Sequence, residues 1–211
     1  MMFPRRQFLA FSAVALAPSL AFAPQLAFAQ DAQDPATFVS AFAQNGIVDI
    51  LTANIPPAEK QKRFRDMFKR DFDIPAIGRF VLGRSARGLA PGDQQSFDTL
   101  FEDVIVYTWS RRFSEYNGQT LKVTGSGPDG DQGSLVKSTV VGKGGDSFTV
   151  DWRIRKRPEG YRVVDVIVGG VSMAITYRNE YANIIAQNGG VAGLIAQLRQ
   201  QVDSLKSQQA T

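Results

Sequence analysis

Asp165 is the carboxylate in this sequence whose surroundings best suit acid–base chemistry. It lies in the stretch YRVVDVIV (161–168), where apolar residues on both sides predict that the carboxylate is buried. A buried carboxylate beside a ligand pocket could act as a proton-transfer base, as in an isomerase. The alternative is a structural anchor that accepts hydrogen bonds from backbone amides, Arg178 or Tyr161, because an unpaired buried charge is costly. We expect the anchor role.

Histidine and cysteine are both absent from the 211 residues. Ser-His-Asp catalysis, Cys-His catalysis and ordinary zinc sites are therefore excluded, since each needs an imidazole or a thiolate. The stretch GKGGDS (142–147) lacks the spacing and the Lys-Ser/Thr order of a phosphate-binding loop, and we interpret it as a hairpin turn. We predict a protein that is not an enzyme and that uses no metal or other cofactor.

Basic side chains follow one face of a predicted strand. Arg153, Arg155 and Arg157 alternate there, with Lys156 and Arg162 nearby across a turn. The stretch lacks interleaved aromatic residues that could stack on bases, and the formal net charge of the chain is only +4, so we expect no nucleic-acid partner. A docking patch for an acidic partner or anionic lipid headgroups and an ordinary solvated face both remain open.

The first 29 residues have the pattern of an export signal. Arg5 and Arg6 precede an apolar stretch, and Ala27-Phe28-Ala29 supplies the small-x-small pattern that signal peptidase requires. We expect a signal peptide at 1–29 that resembles a twin-arginine signal in RRQFL (5–9), with Sec export as the alternative. Residues 30–211 are predicted to form one domain that core packing holds without disulfides.

Apolar residues at three- and four-residue steps predict the helices that position any site. Four are expected at about 37–55, 57–72, 75–83 and 91–116. Two more follow residue 172: one begins at Ser172 and ends at Asn188-Gly189, and the last carries an apolar stripe from Leu194 to Leu205.

Between these helix groups the sequence has the signals of strands. Four are predicted at about 120–126, 134–142, 147–155 and 161–168, separated by short glycine-rich loops that make neighbours antiparallel. The order predicts the α+β class, with a four-stranded antiparallel sheet packed against N- and C-terminal helices. Apolar residues exceed what one covered sheet face needs, so a solid core and a cavity between sheet and long helix are both open.

Four stretches carry a resemblance to a known family. IGRFVLGRSARGLAPGDQQSFDTLF (77–101), SEYNGQTLKV (114–123), YRVVDVIVGGVSMAITYRNEY (161–181) and NGGVAGLIAQL (188–198) occur in order. Together they resemble the MlaC family, also called toluene-tolerance or phospholipid-binding proteins. Family members often carry aromatic residues after the LGR element, where this chain has Ser85-Ala86, so we expect no aromatic contacts from these two positions.

The resemblance implies a soluble periplasmic lipid carrier. It implies a cone-shaped, NTF2-like sheet and helices enclosing an apolar cavity for phospholipid acyl chains. The implied partners are phospholipid, an outer-membrane MlaA-type lipoprotein complex and an inner-membrane ABC transporter with an MCE-domain subunit, in the service of outer-membrane lipid asymmetry. A hopanoid or other polycyclic lipid is the alternative cargo. An isomerase-type enzyme that uses Asp165 is the alternative function.

On that reading the cavity lies between the inward sheet face and the long helix, with the headgroup at a wet mouth. The residues predicted to contact lipid are Phe80, Phe97, Phe101, Val104, Tyr107, Val150, Trp152, Val166, Val168, Met173 and Tyr177.

Overall fold

The chain is helical from Pro35 to Thr52, although the middle of this segment is not an α-helix. The computed structural model describes residues 34–111, 116–131 and 133–209, and the expected signal peptide at 1–29 lies outside them. Helix α1 (Pro35–Ala41), capped by Asp34, runs into a π-helical segment (Phe42–Val48) and the short α2 (Asp49–Thr52). The sequence predicted one regular helix here, because an apolar period does not reveal where hydrogen bonds shift to residues five apart.

Three helices follow at the predicted positions. They are α3 (Pro57–Asp71), α4 (Ile74–Leu82) and α5 (Pro91–Arg111). Each has proline in its first turn, where the missing N–H would have no partner in any case. Gly83 ends α4 with a φ of 57° and starts a short 3-10 turn (Gly83–Ala86). Arg65 of α3 forms ion pairs of 2.6 and 2.7 Å with Glu102 and Asp103 of α5, which fixes these helices side by side.

The sheet confirms the predicted α+β class. Its strands are β1 (Thr120–Pro128), β2 (Gly133–Val141), β3 (Ser147–Arg157), β4 (Gly160–Val168) and β5 (Val171–Ser172), paired antiparallel in chain order. The two-residue β5 was not predicted, because it is too short to show an alternating pattern. It forms because Gly169 and Gly170, with φ of 56° and 84°, turn the chain back onto β4.

The C-terminal helices complete the fold. Helix α6 (Met173–Gln187) begins at Ser172, whose Oγ accepts a hydrogen bond from the N–H of Ile175, and α7 (Val191–Gln209) packs against α5. Helix α6 packs against α4 and β4. Among the described residues, no helix combines the length and apolar character that a membrane span requires.

Candidate functional site

An apolar groove with a cavity volume of about 150 Å³ lies between the inner face of the sheet and the surrounding helices. Its walls come from the π-helical segment, α3, α4, α5, β3, β4 and α6, and aromatic side chains dominate them. The wall residues are Phe42, Ile47, Phe64, Phe68, Phe72, Ile77, Phe101, Ile105, Trp109, Trp152, Val164, Asp165, Val166, Met173, Ala174 and Tyr177. Such a wall excludes water and offers few polar partners, which suits an apolar ligand.

The π-helical segment brings two side chains into the groove that an α-helix would separate. Phe42 and Ile47 are five residues apart, which in an α-helix places them about 140° apart around the axis. Hydrogen bonding between residues five apart widens the turn and brings the two positions to nearly the same side. Both side chains consequently line the groove.

Aromatic rings connect the helical wall to the sheet. The Phe42 ring lies 5.3 Å from that of Trp152 on β3 and 5.7 Å from that of Phe72, and Phe72 lies 4.5 Å from Phe68 on α3. The two Phe42 contacts are edge-to-face and the third is tilted, geometries that aromatic pairs favour. This part of the wall is therefore built from aromatic rings in mutual contact.

Trp152 presents its ring to the groove because its polar atom is bound on β2. The indole N–H donates to Ser138 Oγ at 3.1 Å, and this buried hydroxyl donates in turn to the carbonyl of Val150. A buried indole N–H without a partner would be costly, so Ser138 sets the orientation of the ring.

We expect Ser138→Ala to lower the free energy of unfolding by about 1–3 kcal/mol, because it leaves the buried indole N–H without its partner. Denaturant unfolding followed by tryptophan fluorescence measures the loss. Ser134→Ala on the same strand removes a hydroxyl for which the structure gives no hydrogen bond and is the matched control. Equal stability of the two variants would contradict the assigned role of Ser138.

Asp165 is buried and fully engaged as an anchor. Its Oδ2 accepts hydrogen bonds from Ser172 Oγ at 2.6 Å and from Arg153 at 3.3 Å, and its Oδ1 accepts from the N–H of Ala174 at 3.0 Å. The carboxylate also lies at the N-terminus of α6, where the helix dipole favours negative charge. The prediction that Arg178 or Tyr161 donates to Asp165 is wrong, since Arg178 lies over Phe80 and Tyr161 packs near Phe38.

Asp165 therefore holds α6 against β4, and α6 carries Met173, Ala174 and Tyr177 to the groove. Both carboxylate oxygens accept hydrogen bonds from the fold, which supports the anchor role over the isomerase alternative.

Three of the five basic residues predicted near the sheet face pair with carboxylates. Arg153 and Arg155 both pair with Asp129, at 3.5 and 2.8 Å, and Arg157 pairs with Asp73 at 2.7 Å. Asp73 also accepts from the N–H of Ala76 at the start of α4, so the last pair ties β3 to α4. These three charges stabilise the fold, whereas Lys156 and Arg162 form no ion pair within the described residues, and an anionic partner at this face stays a prediction.

The structure brings five of the eleven predicted contact residues into the groove wall. These are Phe101, Trp152, Val166, Met173 and Tyr177. Phe97, Val104 and Val150 are buried outside the wall, and Phe97 packs against Tyr181 with ring centroids 6.0 Å apart. Tyr107 faces α7, where Lys206 lies 5.6 Å from its ring, and Phe80 is exposed. Val168 is half-buried beyond the end of the wall.

The sequence did not predict that the π-helical segment and α3 contribute to the groove wall. Phe64, Phe68 and Phe72 recur at four-residue steps, a periodic signal that was present in the sequence but was not assigned to the site. Phe42 and Ile47 gave no such signal, because their common direction depends on the π-helical turn.

Tyr181 lies behind the groove with a buried hydroxyl. Its ring packs against Phe97, Phe101 and Tyr177, and its Oη has no hydrogen-bond partner within the described ranges. Burial raises the pKa of the Tyr181 phenol above its ordinary value, so the hydroxyl stays neutral.

We expect Tyr181→Phe to leave the free energy of unfolding unchanged or to raise it slightly, because it removes an unpaired buried hydroxyl and keeps the ring. Thermal or denaturant unfolding measures the change, and Tyr181→Leu, which loses the ring contacts, serves as the destabilised comparison. A loss of about 1 kcal/mol or more in Tyr181→Phe would indicate a hydrogen bond that the structure does not contain.

The described part of the chain contains no cluster of His, Cys, Asp or Glu suited to a metal ion.

The chain is similar to a protein family, to a relative in another organism and to a solved structure. The model of a family described as "MlaC protein" matches residues 43–200. The toluene tolerance protein Ttg2D of Pseudomonas putida is 24% identical over 141 residues, a match that covers 63% of this chain and 66% of that protein, just under two thirds of its length. A solved structure, a phospholipid-binding protein of Ralstonia solanacearum in complex with a phospholipid, shares the fold with a TM-score of 0.69. It is 24% identical, and the match covers 79% of this chain and 98% of that one.

Proposed function

Because the chain belongs to the MlaC protein family, we propose that it is a periplasmic carrier that holds phospholipid acyl chains in the apolar groove. The groove carries this proposal: fifteen of its sixteen wall residues are apolar or aromatic, and its one carboxylate is bound to the fold. The fold match to a structure that contains a phospholipid adds support.

A carrier must replace the membrane as a solvent for the acyl chains. Exposure of acyl chains to water costs about 0.8 kcal/mol per methylene, or on the order of 25 kcal/mol for about 30 methylenes. An apolar groove that covers the chains makes exchange with a bilayer nearly neutral in free energy. Loading and release then need no covalent chemistry, in keeping with a chain without histidine or cysteine.

The groove must widen to accept such a cargo. Its cavity of about 150 Å³ is smaller than the roughly 300–1,000 Å³ of pockets for drug-sized ligands, and two acyl chains are larger still. The rings of Phe42, Phe68 and Phe72 join the helical wall to Trp152. Directly after Phe72, the N–H of Asp73 donates to the carbonyl of Val163 at 3.0 Å and holds the C-terminal end of α3 to β4. We propose that acyl chains enter between the rings and displace them, while this end of α3 stays bound to the sheet.

The mouth of the groove is marked by Trp109 on α5, which is 37% exposed while every other wall residue is buried or half-buried. A phosphate headgroup would keep its hydration there, since burying it unpaired is costly. Trp109 combines an apolar ring with a polar N–H, a combination that suits a boundary between acyl chains and water.

The partners in this proposal are those of the family. An outer-membrane MlaA-type lipoprotein complex and an inner-membrane ABC transporter with an MCE-domain subunit would exchange lipid with the carrier, which would maintain outer-membrane lipid asymmetry. Family membership and the similarity to a toluene tolerance protein support this assignment.

The proposal is tested by mass spectrometry of the organic extract of protein purified without detergent from cells that produce it. We expect roughly one glycerophospholipid per protein molecule, because one apolar groove is available. A polycyclic lipid at that ratio would replace phospholipid as the cargo and keep the carrier function. An extract without stoichiometric lipid would contradict both.

A further inference from the structure

Three exposed apolar side chains lie on α4, on β5 and in the first turn of α6, and α4 packs against α6. Phe80 is 42% exposed, Val171 56% and Ile175 46%. The guanidinium of Arg178 lies 4.9 Å from the centre of the Phe80 ring and donates to the Phe80 carbonyl at 3.4 Å. Ile175 precedes Arg178 by three residues and so shares its side of α6. A grouped apolar surface of this kind marks an interaction site more often than a single exposed residue does.

Three arginines lie on the chain directly after α4 and on α6. Within residues 34–111, 116–131 and 133–209, neither Arg84, Arg87 nor Arg178 forms an ion pair with a carboxylate. A side chain added at Gly83 would lie 3.4 Å from the Arg178 guanidinium, which places the short turn bearing Arg84 against Arg178. Arg153, Arg155 and Arg157 on β3 differ, because Asp73, Asp129 and Asp165 pair with them.

We propose that this surface, the α4–α6 patch (Phe80, Val171, Ile175, Arg84, Arg87 and Arg178), docks the protein on an anionic lipid bilayer. Its apolar side chains enter the headgroup layer, and its arginines pair with lipid phosphates. The patch lies outside the groove wall, on the exposed side of α4 and α6. The patch combines arginines with apolar side chains. This combination fits the mobile phosphates and acyl region of a bilayer better than the fixed carboxylates of an acidic protein.

The patch adjoins the groove through the same two helices. Ile77 lies in the groove wall one turn before Phe80, and Ala174 lies there one turn before Arg178. Docking through the patch therefore brings the bilayer next to the α4–α6 side of the groove. The biological purpose of this docking rests on the proposed carrier function. Binding to a bilayer can be measured independently of bound lipid, so the two proposals are tested separately.

The test is co-sedimentation of the purified protein with vesicles of phosphatidylcholine alone and of phosphatidylcholine with about 30% phosphatidylglycerol. We expect binding to the anionic vesicles that weakens with added salt, and little binding to the neutral ones. The triple variant Arg84→Gln/Arg87→Gln/Arg178→Gln should bind about 100-fold more weakly. Arg84→Gln/Arg87→Gln, which leaves the Arg178 contacts intact, should lose about 20-fold and serves if the triple variant is unstable.

The matched control is Lys122→Gln/Lys137→Gln/Lys143→Gln, which removes the same charge from exposed positions on the sheet and its hairpin. We expect it to bind anionic vesicles nearly as well as the unmodified protein. An equal loss in both triple variants would show that net charge alone matters and would overturn the proposal. No binding to anionic vesicles, as expected of a surface made for an acidic protein, would overturn it as well. Bound lipid, measured by mass spectrometry in each variant, reports on the groove separately.

Discussion

Replacing Val166 with tryptophan is expected to reduce the lipid that co-purifies with the protein at least about tenfold, equivalent to about 1.4 kcal/mol of binding free energy. Val166 lies in the groove wall and pairs with Trp152 across β3 and β4. A second indole ring at this position occupies much of a cavity of about 150 Å³ and leaves the acyl chains no room. Quantitative mass spectrometry of the organic extract measures the effect.

Val168→Trp is the matched control for this experiment. Val168 lies two residues further along β4, on the same face of the strand and outside the groove wall. We expect this variant to retain lipid, although overpacking lowers the stability of either variant by about 1–3 kcal/mol. Circular dichroism establishes that both fold. Wild-type lipid content in folded Val166→Trp would show that acyl chains do not occupy this groove.

The second large effect concerns Asp165. Asp165→Ala is expected to lower the free energy of unfolding by about 3 kcal/mol, because it leaves the buried N–H of Ala174 and the hydroxyl of Ser172 without their acceptor and removes one of the two carboxylates that pair with Arg153. The side chain of Arg153 is 37% exposed, so water offsets part of this loss. Denaturant unfolding measures it.

The control for Asp165 is Asp151→Ala on β3, whose carboxylate forms no ion pair among the described residues and should change stability by no more than about 0.5 kcal/mol. If Asp165→Ala is as stable as the control, the anchor role is wrong. Asp165→Asn keeps an acceptor for Ala174 and should recover part of the stability. A stable Asp165→Asn variant that lost a chemical reaction would revive the enzyme alternative.

Much of the fold could be predicted from the sequence because its signals are local. Asp73 and Ser172 cap helices through bonds to residues three positions away, and proline and Gly83 mark helix ends. Alternation along β3 set which side chains face inward. The π-helical segment and β5 were missed because neither has a periodic pattern long enough to detect.

By itself, the sequence determined the α+β class, the resemblance to the MlaC family and the absence of imidazole and thiolate chemistry. Only the tertiary structure decided which apolar residues line a groove and which arginines stay unpaired. Phe42 meets Trp152 from 110 positions away, and Arg157 meets Asp73 from 84 positions away. Tertiary packing decides these contacts. The periodicity of the sequence predicts on which side of a helix or strand a residue lies, but it does not predict which distant residue the side chain contacts.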